Sequence, residues 1–130
     1  MNYSLILKLS AFGLLIGVGS VYFISSSVEP ICWLIAFVIS AYSIARQAEG
    51  RFFLHGFLTS LANCLWVTGA HVLLFKDYVA HHAEEMAMMA NSPLPEHPRL
   101  MMLITGPLIG AVSGLVQGLF VLAAVKLLKR

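Results

Sequence analysis

Long apolar stretches separated by short polar links set the rhythm of this chain. They run over about residues 4–26, 30–46, 52–75 and 100–128. A helix needs about 20 apolar residues to cross the hydrocarbon core of a bilayer. Each stretch is therefore predicted to be a transmembrane helix, the second being the shortest. Pro30 opens that second helix, where a proline suits the first turn. The links "SSVEP" and "QAEGR" are short, so consecutive helices are expected to be antiparallel neighbours.

The long link, Lys76 to Arg99, has a pattern of its own. Residues 77–90 lack Gly and Pro and are rich in Ala, Glu and Met, which predicts a short helix with Asp77 as its N-cap. "NSPLPEHP" ends it at Pro93, Pro95 and Pro98. On a helical wheel Tyr78, His81, His82 and Glu85 share one face; Val79, Ala80, Ala83, Met86 and Ala87 share the other. This is the pattern of an amphipathic helix lying on the outer membrane boundary or covering the end of the bundle.

Composition agrees with that pattern. The 130 residues are 59% hydrophobic and 11% charged, with mean hydropathy +0.87. A soluble domain carries about a quarter charged residues, so this chain has too few to cover a water-facing surface. The predicted fold is all-α: one polytopic membrane domain over residues 1–130, with four transmembrane helices in an antiparallel bundle and the short outer helix between the third and fourth. The first stretch has one early base, Lys8, no A-x-A site and a long apolar run, so it reads as a retained helix rather than a signal peptide.

Charge sets the expected orientation. One side carries Lys8, Arg46, Arg51, Lys126, Lys129 and Arg130, and the other only Lys76 and Arg99: six bases against two. The positive-inside rule places both termini in the cytoplasm and the protein in the inner (plasma) membrane. The net charge of +2, with no basic cluster interleaved with aromatics, gives no support for nucleic acid as a partner. Cys32 and Cys64 lie inside apolar segments and form no CxxC.

"GPLIGAVSGLVQG" places Gly106, Gly110, Gly114 and Gly118 four apart, as three overlapping GxxxG units. On a helix they form one slowly drifting groove. In lipid there is no hydrophobic drive between helices, so close backbone approach and dispersion must hold them together. Ser113 and Gln117 fall beside this groove. The third helix offers Gly56, Ser60, Asn63, Cys64, Val67 and His71 on one face. An Asn63 hydrogen bond to Ser113 or Gln117 is expected. These polar groups could instead line a pore. They carry no charge, however, and no Asp or Glu lies within a predicted span, which disfavours an ion or proton path.

A metal site is the other chemical candidate. His81 and His82 lie within reach of Glu85, and His71 and Met101 sit at the same predicted depth. Five of the six methionines fall between Met86 and Met102. Imidazole, thioether and thiolate are ligands that suit Cu(I). Each also has a packing role: methionine fills irregular gaps, and a histidine near a helix end hydrogen-bonds a carbonyl. A haem is disfavoured, because the two histidines in predicted spans, His55 and His71, are on one helix, roughly 24 Å apart. No Ser-His-Asp set, HExxH, P-loop or dinucleotide fingerprint is present, so no enzyme activity is expected.

The stretches "ARQAEGRFFLHGF", "FKDYVAHHAEEM" and "GPLIGAVSGLVQG" resemble those of small bacterial four-helix membrane proteins grouped as a domain of unknown function. The resemblance covers Ala45 to Arg130. It implies an Arg-containing inner turn, an acidic outer helix and a Gly-rich last helix, and it brings no activity. The expected function is non-enzymatic: a structural or accessory subunit without a cofactor, packing through its glycine faces into a homo-oligomer or a larger membrane complex. The alternative is an outward-facing copper binder or small transporter.

Overall fold

The computed structural model describes residues 1–128, so Lys129 and Arg130 of the charge pattern lie outside it. The described residues hold seven helices and no strand: α1 (Tyr3–Leu9), α2 (Ala11–Tyr22), α3 (Glu29–Gln47), α4 (Phe52–Leu73), α5 (Phe75–His81), α6 (Ala83–Ala90) and α7 (Pro98–Leu127). Counting α1 and α2 together, four helical segments are long and apolar enough to cross a membrane.

Two expected helices are broken. The first divides at Ser10, whose hydroxyl turns back to donate to the Leu7 carbonyl at 2.6 Å and accepts the Trp66 indole N–H at 3.0 Å. It also ends at Tyr22 rather than Ser26. The outer helix divides at His82 (φ −133°, ψ 57°), giving α5 and α6 in place of one helix over 77–90. The wheel drawn for that segment fails with it. Tyr78 and His82, on its polar face, are buried, whereas Ala83 and Ala87 of its apolar face are exposed. The buried imidazole finds polar partners inside the protein, and these hold the chain in a non-helical turn.

The other boundaries follow local chemistry. Asn2 caps α1 by accepting the Leu5 N–H at 3.0 Å. Pro30 occupies the first turn of α3 and Pro98 that of α7. Arg51 precedes α4 in the left-handed region (φ 49°, ψ 42°), while Gly50 beside it keeps an ordinary φ. The helix α7 continues through Pro107.

The glycines of α7 face α4. A Cβ added at Gly110 would come within 2.8 Å of Cys64, at Gly114 within 2.7 Å of Phe57, and at Gly118 within 2.5 Å of Phe53; at Gly106 it would meet Thr68. Rising numbers on α7 thus meet falling numbers on α4. The opposite flank of α4 receives α2, where a Cβ on Gly13 would stand 2.5 Å from the Asn63 Cα. Helix α3 leans chiefly on α7 and touches α4 lightly, and a gap opens between α3, α4 and α7.

Candidate functional site

The site is assembled where α5 and α6 close one end of the molecule. Tyr78 of α5 is buried between two imidazoles. His71 of α4 stacks on it at 4.3 Å between ring centroids, and His82 does so at 4.3 Å. Both histidines are anchored to Ser20 near the end of α2. The Ser20 hydroxyl donates to the Gly17 carbonyl at 2.9 Å, so its lone pair faces His71 Nε2 at 2.7 Å and that nitrogen donates. His82 Nε2 is 2.5 Å from the Ser20 carbonyl. A carbonyl only accepts, so this nitrogen also carries a proton.

The other nitrogen of His82 joins a relay. Its Nδ1 is 3.0 Å from Ser26 Oγ, and Ser26 donates to Glu85 Oε1. A serine hydroxyl has one proton. When that proton goes to Glu85, His82 Nδ1 must donate, which makes the ring an imidazolium 3.5 Å from Glu85. When the ring is neutral, the serine proton turns to Nδ1 and leaves Glu85. The Ser26 hydrogen bond, aided by His82, holds the Glu85 carboxyl below the usual carboxylate range. Burial, together with the charges of Glu85 and Glu29, pushes the Tyr78 hydroxyl up to about 12. Tyr78 therefore stays protonated.

Beneath this polar group lies a cavity of ≈ 860 Å³. Trp33, Leu34 and Phe37 of α3 form one wall. Cys64, Val67 and Thr68 of α4 form the second, and Thr105, Ile109 and Ser113 of α7 form the third. Phe37 and Phe120 meet edge to face at 5.9 Å between centroids on its lining. Met88 and Met89 of α6, with Tyr78, Glu85 and Glu29, line its polar end. The wall is mostly apolar, with Ser60, Asn63, Thr68, Thr105 and Ser113 set along it, and the carboxylates stand with Tyr78 at one end.

A second cavity, ≈ 510 Å³, lies among Asn2, Gln47, Arg51 and His55. His55 already uses both ring nitrogens there: Nδ1 donates to the Arg51 carbonyl at 2.9 Å, and Nε2 accepts the Asn2 N–H at 3.0 Å.

The residues expected from the sequence are distributed as follows. Gly106, Gly110, Gly114 and Gly118 all pack on α4 of the same chain. Asn63 makes neither expected bond. Its Oδ1 accepts the Gly13 N–H at 2.8 Å, and Gln117 Nε2 donates to the Phe37 carbonyl at 3.2 Å. Each amide thus meets the backbone of a third helix, because the α4–α7 seam is too close for two long polar side chains to share. Ser113 lines the cavity.

Of the five expected copper ligands, four border the cavity and one does not. His71, Glu85 and Met101 reach the cavity, and His82 backs it. His81 points away, with its Nδ1 on the Asp77 carbonyl at 2.9 Å and its ring beside Tyr22. Among the described residues no three His, Cys, Asp or Glu side chains converge as metal ligands.

Sequence reasoning missed Ser20, Ser26, Glu29 and Trp33. One signal was available: Glu29 and Trp33 are four apart on a helix, and the indole N–H reaches the carboxylate at 3.3 Å. Ser20 read as one more position of the first helix and Ser26 as its polar end, and nothing local marks either as the partner of a histidine more than 50 residues away. Compared with protein-family models, with curated proteins and with solved structures, the chain matches none.

Proposed function

We propose that this is an integral membrane protein that binds an amphiphilic small molecule without transforming it. In this reading the four apolar segments cross the plasma membrane as an antiparallel bundle with cytoplasmic termini, and α5 and α6 cap the outer end. The inverted polarity of the molecule supports the membrane. Leu15, Ile35, Val38, Leu65, Leu108, Val112 and Leu119 are exposed, whereas Ser20, Ser40, His55, Thr59, Asn63 and Gln117 are buried. Water would reverse that arrangement; lipid accepts it.

The cavity carries the functional part. Ligand pockets span about 300–1,000 Å³ and combine apolar walls with a few placed polar groups. The ≈ 860 Å³ cavity fits this description, with an apolar body and the Tyr78–Glu85 end as head-group site. A subunit role in a homo-oligomer or larger complex loses its motive, since the glycine groove that suggested a partner is filled by α4.

Ser113→Phe places a ring in the cavity and tests the idea. Native mass spectrometry of protein released from lipid nanodiscs should show a one-to-one amphiphile adduct for the wild type and its loss in the variant. Equal adducts in both, or none in either, would remove the binding reading.

A further inference from the structure

We propose that the ligand is an organic cation on an apolar body, with its charge held at the Glu29–Glu85 end of the cavity. This rests on the amphiphile-binding reading above.

The argument begins with charge. Of the charged side chains among the described residues, Glu29 and Glu85 line the cavity and no lysine or arginine does. The nearby base Arg99 lies over the Phe75 ring at 4.9 Å, and Asp77 is engaged by the Tyr22 hydroxyl at 2.8 Å. His71 reaches the cavity, yet its Nε2 is committed to Ser20. His82 balances Glu85 whenever Ser26 donates to that carboxylate, so Glu29 is the carboxylate the ligand answers first. Among the described residues Glu29 has no cationic partner, and its one side-chain hydrogen bond is the long contact from Trp33. A carboxylate at the end of a largely apolar cavity attracts a counter-charge.

Tyr78 points to a ligand independently. It is 8% exposed, lines the cavity, and its hydroxyl has no hydrogen-bond partner among the described residues. Both of its faces are covered by histidine rings, so the hydroxyl edge is what the ligand meets. Both carboxylates act on its hydroxyl electrostatically, and all three side chains line the cavity. Trp33 adds an indole to the wall, the aromatic side chain best suited to a cation. An anion would meet two carboxylates, and a neutral ligand would leave Glu29 unbalanced. The same chemistry occurs in free lipophilic cations and in lipids with an ammonium head group.

The test uses the full-length protein in nanodiscs of phosphatidylglycerol, with equilibrium dialysis of three probes. These are tetraphenylphosphonium, neutral triphenylphosphine oxide and tetraphenylborate. Saturable binding is expected, with the cation about tenfold tighter than the neutral probe and the anion weakest. Glu29→Gln should weaken the cation about tenfold and leave the neutral probe unchanged, which also shows that the variant is folded. Glu85→Gln should act in the same direction.

Equal binding of cation and neutral probe, or no effect of Glu29→Gln, would overturn the cation proposal while the amphiphile reading stands. Failure of every probe to saturate would remove both. Adding phosphatidylcholine separates the sources. Competition assigns the site to an ammonium-headed lipid, and its absence assigns it to a free cation.

Discussion

Asn63 is a buried amide that caps a helix to which it does not belong. Gly13 is the third residue of α2, where a capping side chain normally takes an orphan N–H. The Ser10 hydroxyl does not do this, because it is bonded to the Leu7 carbonyl, although the Ser10 backbone carbonyl shares the Gly13 N–H at 3.0 Å. Asn63 Oδ1 takes the Gly13 N–H from across the α2–α4 interface, at 2.8 Å. The same contact fixes how closely the two helices approach. Asn63→Leu should therefore lower stability by about 1 kcal/mol, the scale of a polar contact between membrane helices. An unfolding titration in mixed micelles would measure it, and an unchanged midpoint would show the bond to be incidental. That Asn63 and Gln117 are buried was legible in their mid-helix positions. Their partners were not. The Asn63 bond depends on the break at Ser10, where neither glycine nor proline marks one.

At the scale of elements, the α4–α7 pair and the α5–α6 cap behave differently. The glycine spacing read from the sequence corresponds to a real groove, and the structure supplies what fills it: Phe53, Phe57, Cys64 and Thr68 in descending order. Periodicity reveals a groove without naming its occupant, which is why partner assembly was a natural expectation. Gly118→Ala would drive a methyl into the Phe53 ring and should cost about 1–3 kcal/mol. Phe53→Ala in the same chain should recover part of that loss, giving a coupled double-mutant cycle. Strict additivity would show that the ring and the groove do not meet. The cap was the harder case. Its wheel assumed one unbroken helix and left open which face turned inward, whereas the chain breaks at His82 and buries Tyr78 and His82. Its attachment runs partly through the hydrogen bond from Ser26 to the Glu85 carboxylate. Because the folded Glu85 carboxyl is held below its ordinary value, its contribution is complete above that value and lost as pH falls through the folded one. Hydrogen exchange of residues 83–90, corrected for intrinsic rates, should rise in acid. Ser26→Ala should remove most of that pH dependence. Protection that stays flat from neutral to acid pH in the wild type would exclude Glu85 as a latch.

For the whole molecule, hydropathy made the four segments legible because each is a long apolar run, of the length and composition a bilayer-crossing helix needs. The cavity was not legible. It arises because α3 leans on α7 and away from α4, and such a tilt leaves no periodic trace in either helix. The proposed orientation joins these two levels. It puts the Arg46–Arg51 turn in the cytoplasm and the cap, with its acidic cavity end, outside. A cation drawn from the outer medium would then meet Glu29 and Glu85 before the apolar wall. Single cysteines decide the matter once Cys32 and Cys64 are replaced by serine. In intact cells a membrane-impermeant maleimide should label Glu96→Cys, and it should label Glu49→Cys only after permeabilisation. Glu96 lies between α6 and α7 and Glu49 between α3 and α4; both are exposed, so each reports one end of the bundle with little risk to the fold. The reverse labelling would turn the cavity end toward the cytoplasm and make its ligand an intracellular one. Labelling of both sites in intact cells would contradict a spanning bundle and reopen the reading of the apolar faces as surfaces between proteins.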